Sequence, residues 1–342
     1  MKFAIALAAL LAVASPALAN DTMSELGTGG LLFVTSENVS MDSEDLFVSP
    51  DAVKVTYEFT NSGKADEHAL VAFPLPDITG DGDFMVALPG EDPDNIFGFE
   101  TTFEGKPVDS TLHQYAFALG VDQTALLKSL NVPLAPFGEA TTTALNGLSD
   151  MAKQNLMHLG MVIPMTYDSG NGEQTDYTPI WTLKSTYTWE AVFPAGKTVE
   201  VKHSYKPSVG GTVATTFLVP PYDATDEDRP KTYKAKYCTD DDLIKTLKKS
   251  LRDPKDLYSA PYVETWIDYI WSTGANWGGP IKNFHLTIDK GNDKNLVSFC
   301  WDGDVKKTGP TTFEMHATDW YPPFGRELNI LILNRQEQQA EG

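Results

Sequence analysis

The stretch VKVTYEFTNSGK, Val53 to Lys64, decides the fold class. Val53, Val55, Tyr57 and Phe59 alternate with Lys54, Thr56 and Glu58, so an extended chain here has one apolar and one polar face. A period of two is what a strand half-buried in a sheet requires. Asn61-Ser62-Gly63-Lys64 is turn chemistry, and Ala69 to Phe73 opens a second apolar strand. Pro74 and Pro76 close that strand, because neither has an N–H to give to a ladder. The pair predicts a β hairpin.

Outward from the hairpin, Leu31 to Thr35 and Phe97 to Phe103 read as strands, the latter followed by a turn at Glu104-Gly105-Lys106-Pro107. From Val121 the period changes. Val121 to Leu130 and Glu139 to Leu159 carry apolar residues at three- and four-residue steps, and Leu145, Leu148, Met151 and Leu156 would share a helix face. Pro133 and Pro136 break this helical insertion, placed at about 120–160, and Asp168 to Thr178 reads as a polar loop. Strands return at Trp181 to Phe193 and Thr198 to Tyr205, and Pro207 to Pro221 bridges into the second half.

There Thr239-Asp240-Asp241-Asp242 starts a helix whose cations Lys245, Lys248, Lys249 and Arg252 lie toward its other end, an order that suits the helix dipole. Tyr262 to Trp271, Phe284 to Asp289, Leu296 to Trp301, Thr312 to Ala317 and Leu328 to Leu333 read as further strands. The expectation is a mainly β protein of two β-sandwich-like antiparallel domains. The first covers 20–210 with the α-helical insertion, the second 211–335 with one helix, and 336–342 is a polar tail.

Residues 1–19 of MKFAIALAALLAVASPALAN read as a signal peptide: Lys2, an apolar run too short to span a bilayer, then Ala17-Leu18-Ala19 before Asn20. No cysteine follows the run to carry a lipid. The expectation is a periplasmic protein with no membrane span in its mature chain, secretion being the alternative. The net charge of -21 argues against nucleic acid and anionic membrane surfaces as partners. Two cysteines in an exported chain, Cys238 and Cys300, predict one structural disulfide.

Several segments together carry a family resemblance. They are E-L-x-T-G-G-L at Glu25 to Leu31, M-x-S-E-D-L at Met41 to Leu46, V-A-F-P-L-P-D-I at Val71 to Ile78, F-P-A-G-K at Phe193 to Lys197, T-G-A-N-W-G-G-P-I at Thr273 to Ile281, and V-S-F-C at Val297 to Cys300. With them the chain resembles the DUF4424 family of exported bacterial proteins over nearly all of its mature length. That resemblance implies a cell-envelope setting and brings no catalytic residues. The first half, with F-P-L-P and G-F-E-x-x-x-x-G-K-P at Gly98 to Pro107, also resembles the vault/inter-alpha-trypsin (VIT) domain, which implies a β sandwich.

For function, Trp277 with Asn276, and Trp320 with Tyr321, are the candidates for ligand binding by stacking; aromatics filling cores is the competing reading. Asp77, Asp81 and Asp83 lead an acidic loop whose oxygen donors suit calcium, although the register is not that of an EF-hand. No other cofactor is expected. The six histidines form no H-E-x-x-H or H-x-H pair, and His203 and His285 read as sheet residues that find a hydrogen bond. G-x-S-x-G is absent. The expectation is a non-catalytic protein that binds an envelope protein or saccharide. The alternative is a hydrolase of envelope polysaccharide using paired carboxylates such as Asp83 or Glu91.

Overall fold

The computed structural model describes residues 22–27, 30–80, 85–87, 90, 95–170, 172–221, 227–323 and 325–336. Nine strands supply most of the main core: β1 (Val39–Val48), β2 (Val53–Asn61), β3 (Glu67–Pro74), β4 (Thr182–Phe193), β5 (Thr198–Tyr205), β6 (Tyr262–Tyr269), β7 (Ile281–Asp289), β8 (Thr312–Trp320) and β9 (Leu328–Arg335). The alternation in β2 is realised as expected. Val53, Val55, Tyr57 and Phe59 are each at most 2% exposed, while Lys54 and Glu58 face solvent.

The protein is mainly β, with several antiparallel sheets. The largest has eight strands in the order Lys306–Lys307, β8, β7, β1, β2, β5, Glu100–Phe103, Lys106–Pro107. Within it β7 runs parallel to β1, the one parallel pairing among the described strands. This sheet therefore takes strands from both sides of residue 210, where the sequence suggested a domain boundary. A second sheet is ordered Val121–Asp122, Thr111–Ala118, β4, β3, Thr22–Gly27, Gly30–Val34. A third is ordered Leu296–Phe299, β9, β6, Val209–Thr212, Met85–Ala87.

Both smaller sheets share a core with the large one. Phe73 of β3 meets His203 and Tyr205 of β5 at ring distances of 5.1 and 5.6 Å. The hydroxyls of Tyr57 (β2) and Tyr269 (β6) lie 3.2 Å apart, and Tyr269 also donates to buried Glu44 of β1 at 3.3 Å. Glu44 faces inward because Asp42 is the extra residue of a β-bulge between Met41 and Ser43. Before the bulge Val39 and Met41 are buried; after it Glu44, Leu46 and Val48 are. One added residue has exchanged the two faces.

The insertion holds α1 (Thr124–Ser129), α2 (Glu139–Asn146) and α3 (Asp150–His158) around a separate core with Leu127, Leu145, Leu156 and Trp181. Met151 does not join it: its side chain is 81% exposed. The expected single helix stops at Gly147, and Ser149 caps a new one by accepting from the Ala152 N–H, which resets the phase of the apolar stripe. Where a loop was expected over Asp168 to Thr178, Val162–Asp168 and Glu173–Pro179 pair as a hairpin. The strand Val162–Asp168 does alternate, but its apolar row Ile163, Met165 and Tyr167 is exposed, and the cross-strand side-chain contacts are polar, Thr166 to Thr175 at 2.9 Å and Tyr167 to Asp176 at 2.9 Å.

The second half has two helices rather than one: α4 (Arg229–Tyr237) and α5 (Asp241–Ser250). In α4 the buried residues are only Tyr233 and Tyr237, one turn apart in a run of cations, which hid the helix from the apolar pattern. Asp240 caps α5 by accepting from the Leu243 N–H at 2.7 Å. Cys238, in the left-handed conformation between the helices, is bonded to Cys300 just after Leu296–Phe299. Among the described residues, no helix is long and apolar enough to cross a membrane.

Candidate functional site

A groove of about 730 Å³ lies between α4 and the chain entering β9. Asp228, Lys231, Thr232, Ala235 and Lys236 line one side, and Gly325, Arg326, Glu327 and Asn329 the other. The α4 residues recur at three- and four-residue steps and so form one stripe along the helix. Asp228 starts that helix by accepting from the Lys231 N–H at 3.2 Å, and Pro230 occupies the first turn, where its missing N–H costs nothing. The opposite stripe, Tyr233 and Tyr237, is buried with Phe217 and anchors the helix to the third sheet.

The other wall is pinned from behind. Glu327 accepts from the N–H groups of Trp271 at 2.9 Å and Ser272 at 3.2 Å, and from the Ser272 hydroxyl at 2.5 Å. Burial pushes its carboxyl up from the usual glutamate range, against these three hydrogen bonds. Both oxygens are thus committed to holding the Ser272–Asn276 turn. The Trp271 indole N–H donates to the Arg326 carbonyl at 2.7 Å. Arg326 pairs through Nη2 with Asp302, while its Nε is buried and has no hydrogen-bond partner among the described residues. Lys236 pairs with Asp268 at 3.3 Å. In a chain of net charge -21, the groove gathers Lys231, Lys236 and Arg326 with one buried donor unspent.

The residues singled out from sequence fall elsewhere. Trp277 is 2% exposed and packs on Phe59 at 4.4 Å and Phe193 at 5.8 Å; it is a core side chain and offers no stacking face. Asn276 donates to the Thr22 hydroxyl at 3.0 Å, and its carbonyl accepts from the Ser36 N–H, which fastens the first described strand. Trp320 stacks on Phe284 at 4.2 Å and meets Trp271 at 5.2 Å, part of a ring cluster with Trp301. Tyr321 alone among these aromatics is well exposed, at 59%. Asp77 is paired with Lys184 at 2.9 Å, whereas Asp81, Asp83 and Glu91 lie outside the described residues. A different set of potential metal ligands, His285, Glu314 and His316, comes together on the outer face of the large sheet.

Sequence reasoning missed Lys231, Lys236 and Arg326. The spacing D-R-P-K-T-Y-K-A-K from Asp228 to Lys236 was a usable signal, since it puts the lysines on the face opposite the tyrosines. Nothing local pointed to Arg326, which reaches the groove only through tertiary packing.

Together these features define a β protein of several sheets with a surface groove lined by three cations and two carboxylates. The chain belongs to the family described as Domain of unknown function (DUF4424), whose model matches residues 19–331. No curated protein matches it. Among solved structures it is similar to a Legionella pneumophila protein to which a nutrient-binding role is ascribed, at 13% identity and a TM-score of 0.46, covering 92% of this chain and 70% of that one. It is also similar to a two-domain M1 zinc metallopeptidase variant bound to L-tryptophan, at 8% identity and a TM-score of 0.23, covering 88% and 44%. At these scores neither likeness bears on function.

Proposed function

We propose that this is an exported cell-envelope protein that binds an anionic ligand in the groove between α4 and β9 without altering it. The leader-like residues 1–19 support export to the periplasm. One observation carries the ligand class: Arg326, whose Nε is buried and has no hydrogen-bond partner among the described residues, lines the groove with Lys231 and Lys236. A buried donor without an acceptor is costly, and a carboxylate or phosphate oxygen would satisfy it with a charge-assisted hydrogen bond. Acidic saccharides are the first candidates, since the expected partners include envelope saccharides. In this reading the sheets pack face to face as sandwiches, the first VIT-like, and serve as scaffold.

The test is thermal unfolding with a panel of uronic acids, phosphorylated sugars and their neutral parents. Acidic members should raise the melting temperature in a concentration-dependent way and the neutral parents should not. Arg326→Gln should weaken that binding by about tenfold or more, the loss of one charge-assisted contact. A flat response to every anion, or an undiminished one in Arg326→Gln, would remove the groove as the site. Export is tested separately: protein from the periplasmic fraction should begin at Asn20.

A further inference from the structure

The pairing of β7 with its two neighbours sets up a second constellation, independent of the groove. His285 lies directly opposite His316 of β8 on one side and beside Asp45 of β1 on the other. Three strands thus place Asp45, His285 and His316 in one row across the outer face of the large sheet. Glu314, two residues before His316, shares that face because side chains alternate along a strand. The bulge at Asp42 is what puts Asp45 there. Without the extra residue, the odd positions that begin with buried Val39 and Met41 would carry Asp45 into the core.

The local chemistry is that of an oriented ligand. His285 Nδ1 lies 2.8 Å from Asp45 Oδ1. A carboxylate at that position keeps the proton on Nδ1 and leaves Nε2 as a lone pair. That Nε2 is buried, and among the described residues it has no hydrogen-bond partner. The His316 ring lies parallel to it, with centroids 4.3 Å apart and planes 8° apart. One ligand atom from each of His285, Glu314 and His316 falls within 4.8 Å of the other two. Tetrahedral zinc, with bonds of about 2.0–2.2 Å, holds its ligand atoms roughly 3.3–3.5 Å apart. His316 is exposed and Glu314 half-buried, so both can turn toward a common ion; since an imidazole lone pair lies in its ring plane, binding requires the His316 ring to leave the parallel stack.

We propose that His285, His316 and Glu314 bind a divalent first-row transition ion, with Asp45 as the positioning residue that orients His285. Two imidazoles and a carboxylate are a zinc-type donor set; calcium would require six to eight oxygens. Three protein ligands leave the fourth position to solvent, as in zinc sites that exchange a ligand. Lys306, the cross-strand neighbour of Glu314, is the internal competitor for that carboxylate.

The experiment uses untagged protein, stripped with chelator and titrated with Zn2+ against a chromophoric competitor. One ion should bind per chain, with a Kd of about 1 μM or tighter. His285→Gln and His316→Gln should each weaken binding by about 100-fold, and Asp45→Asn, which touches no metal, by roughly 10- to 100-fold. Zinc-edge X-ray absorption should show two imidazoles and light oxygen donors, unchanged in number in Asp45→Asn. Metal-free melting temperatures report whether each variant is folded; should a histidine variant fail there, Glu314→Gln removes a ligand without touching the ring stack. Binding no tighter than about 100 μM in the wild type, or full binding in the double histidine variant, overturns the site.

Discussion

Glu264 on β6 shows what a single ionisable residue costs this core. It is 1% exposed, and its carboxylate accepts from the Thr216 N–H at 2.5 Å, the Thr216 hydroxyl at 3.1 Å and the Tyr233 hydroxyl at 2.5 Å. Burial pushes its carboxyl up from the ordinary 4.5 despite those donors, and burial together with the Glu264 charge pushes the Tyr233 hydroxyl up. A carboxyl raised in the folded state gives stability that is fully present below its unfolded value and lost as pH rises through the raised one. Glu264→Gln carries no charge at any pH, so it should gain on wild type as pH goes from 4.5 to 7.5, measured by urea unfolding at both. A constant difference between the two proteins would contradict this. Tyr233→Phe leaves the buried carboxylate one donor short and should cost about 1.5–3 kcal/mol at neutral pH. Neither this network nor the His285 cluster was legible in the sequence: Glu264 lies 48 and 31 residues from its donors Thr216 and Tyr233, and His285 is 240 residues from Asp45. The nearest signal was Glu314-Met315-His316, whose period-two spacing puts carboxylate and imidazole on one strand face.

At the scale of elements, the sequence was readable wherever burial is one-sided. β2 and β5 show strict alternation, and α5 displays its cap, acidic first turn and basic last turn. It was harder to read where an element leaves its apolar row in solvent, as the hairpin Val162–Pro179 does with Ile163, Met165 and Tyr167, or holds on by two tyrosines, as α4 does. The bulge at Asp42 also left no mark, since an extra residue in a strand is defined only by the partner it fails to match. What holds α4 is in part covalent. Cys238–Cys300 closes a separation of 62 residues, and the Ser298 hydroxyl donates to the Tyr237 carbonyl at 2.9 Å beside it. Loop-closure entropy for that length is worth about 4 kcal/mol in the ideal chain model. Cys238→Ser with Cys300→Ser should therefore lower the unfolding free energy by about 2–4 kcal/mol. Hydrogen exchange should rise first in α4 and α5, which flank the lost bridge; loss spread evenly over all strands would point to a different role for it.

For the whole molecule, the decisive strand is β7. It sits between β1 and β8, aligned with β1 from Asn283 beside Ser43 to Ile288 beside Val48, some 240 residues away in sequence. No local pattern announces a parallel neighbour that distant, which is why two self-contained halves were expected. Tyr269 and Ile330 of the third sheet lie in the same core as Tyr57 and Leu46 of the large one. A chain cut near residue 210 would leave β1 as an edge with unpaired backbone and strip the cover from buried Glu44, a heavy loss for a fold whose total stability is typically about 5–15 kcal/mol. The fragment 20–210 should therefore be insoluble or unfolded by circular dichroism, and the intact chain should lose its strand signal and its Trp271 and Trp320 fluorescence in one transition. The helical insertion is the exception that sharpens the test. Leu127, Leu145, Leu156 and Trp181 form a core of their own, so its amides should exchange by local opening while those of β1, β2 and β7 wait for global unfolding. Two separate transitions dividing the chain near residue 210 would instead mean that β7 docks onto a first half already stable without it, and the large sheet would then be an interface between two domains.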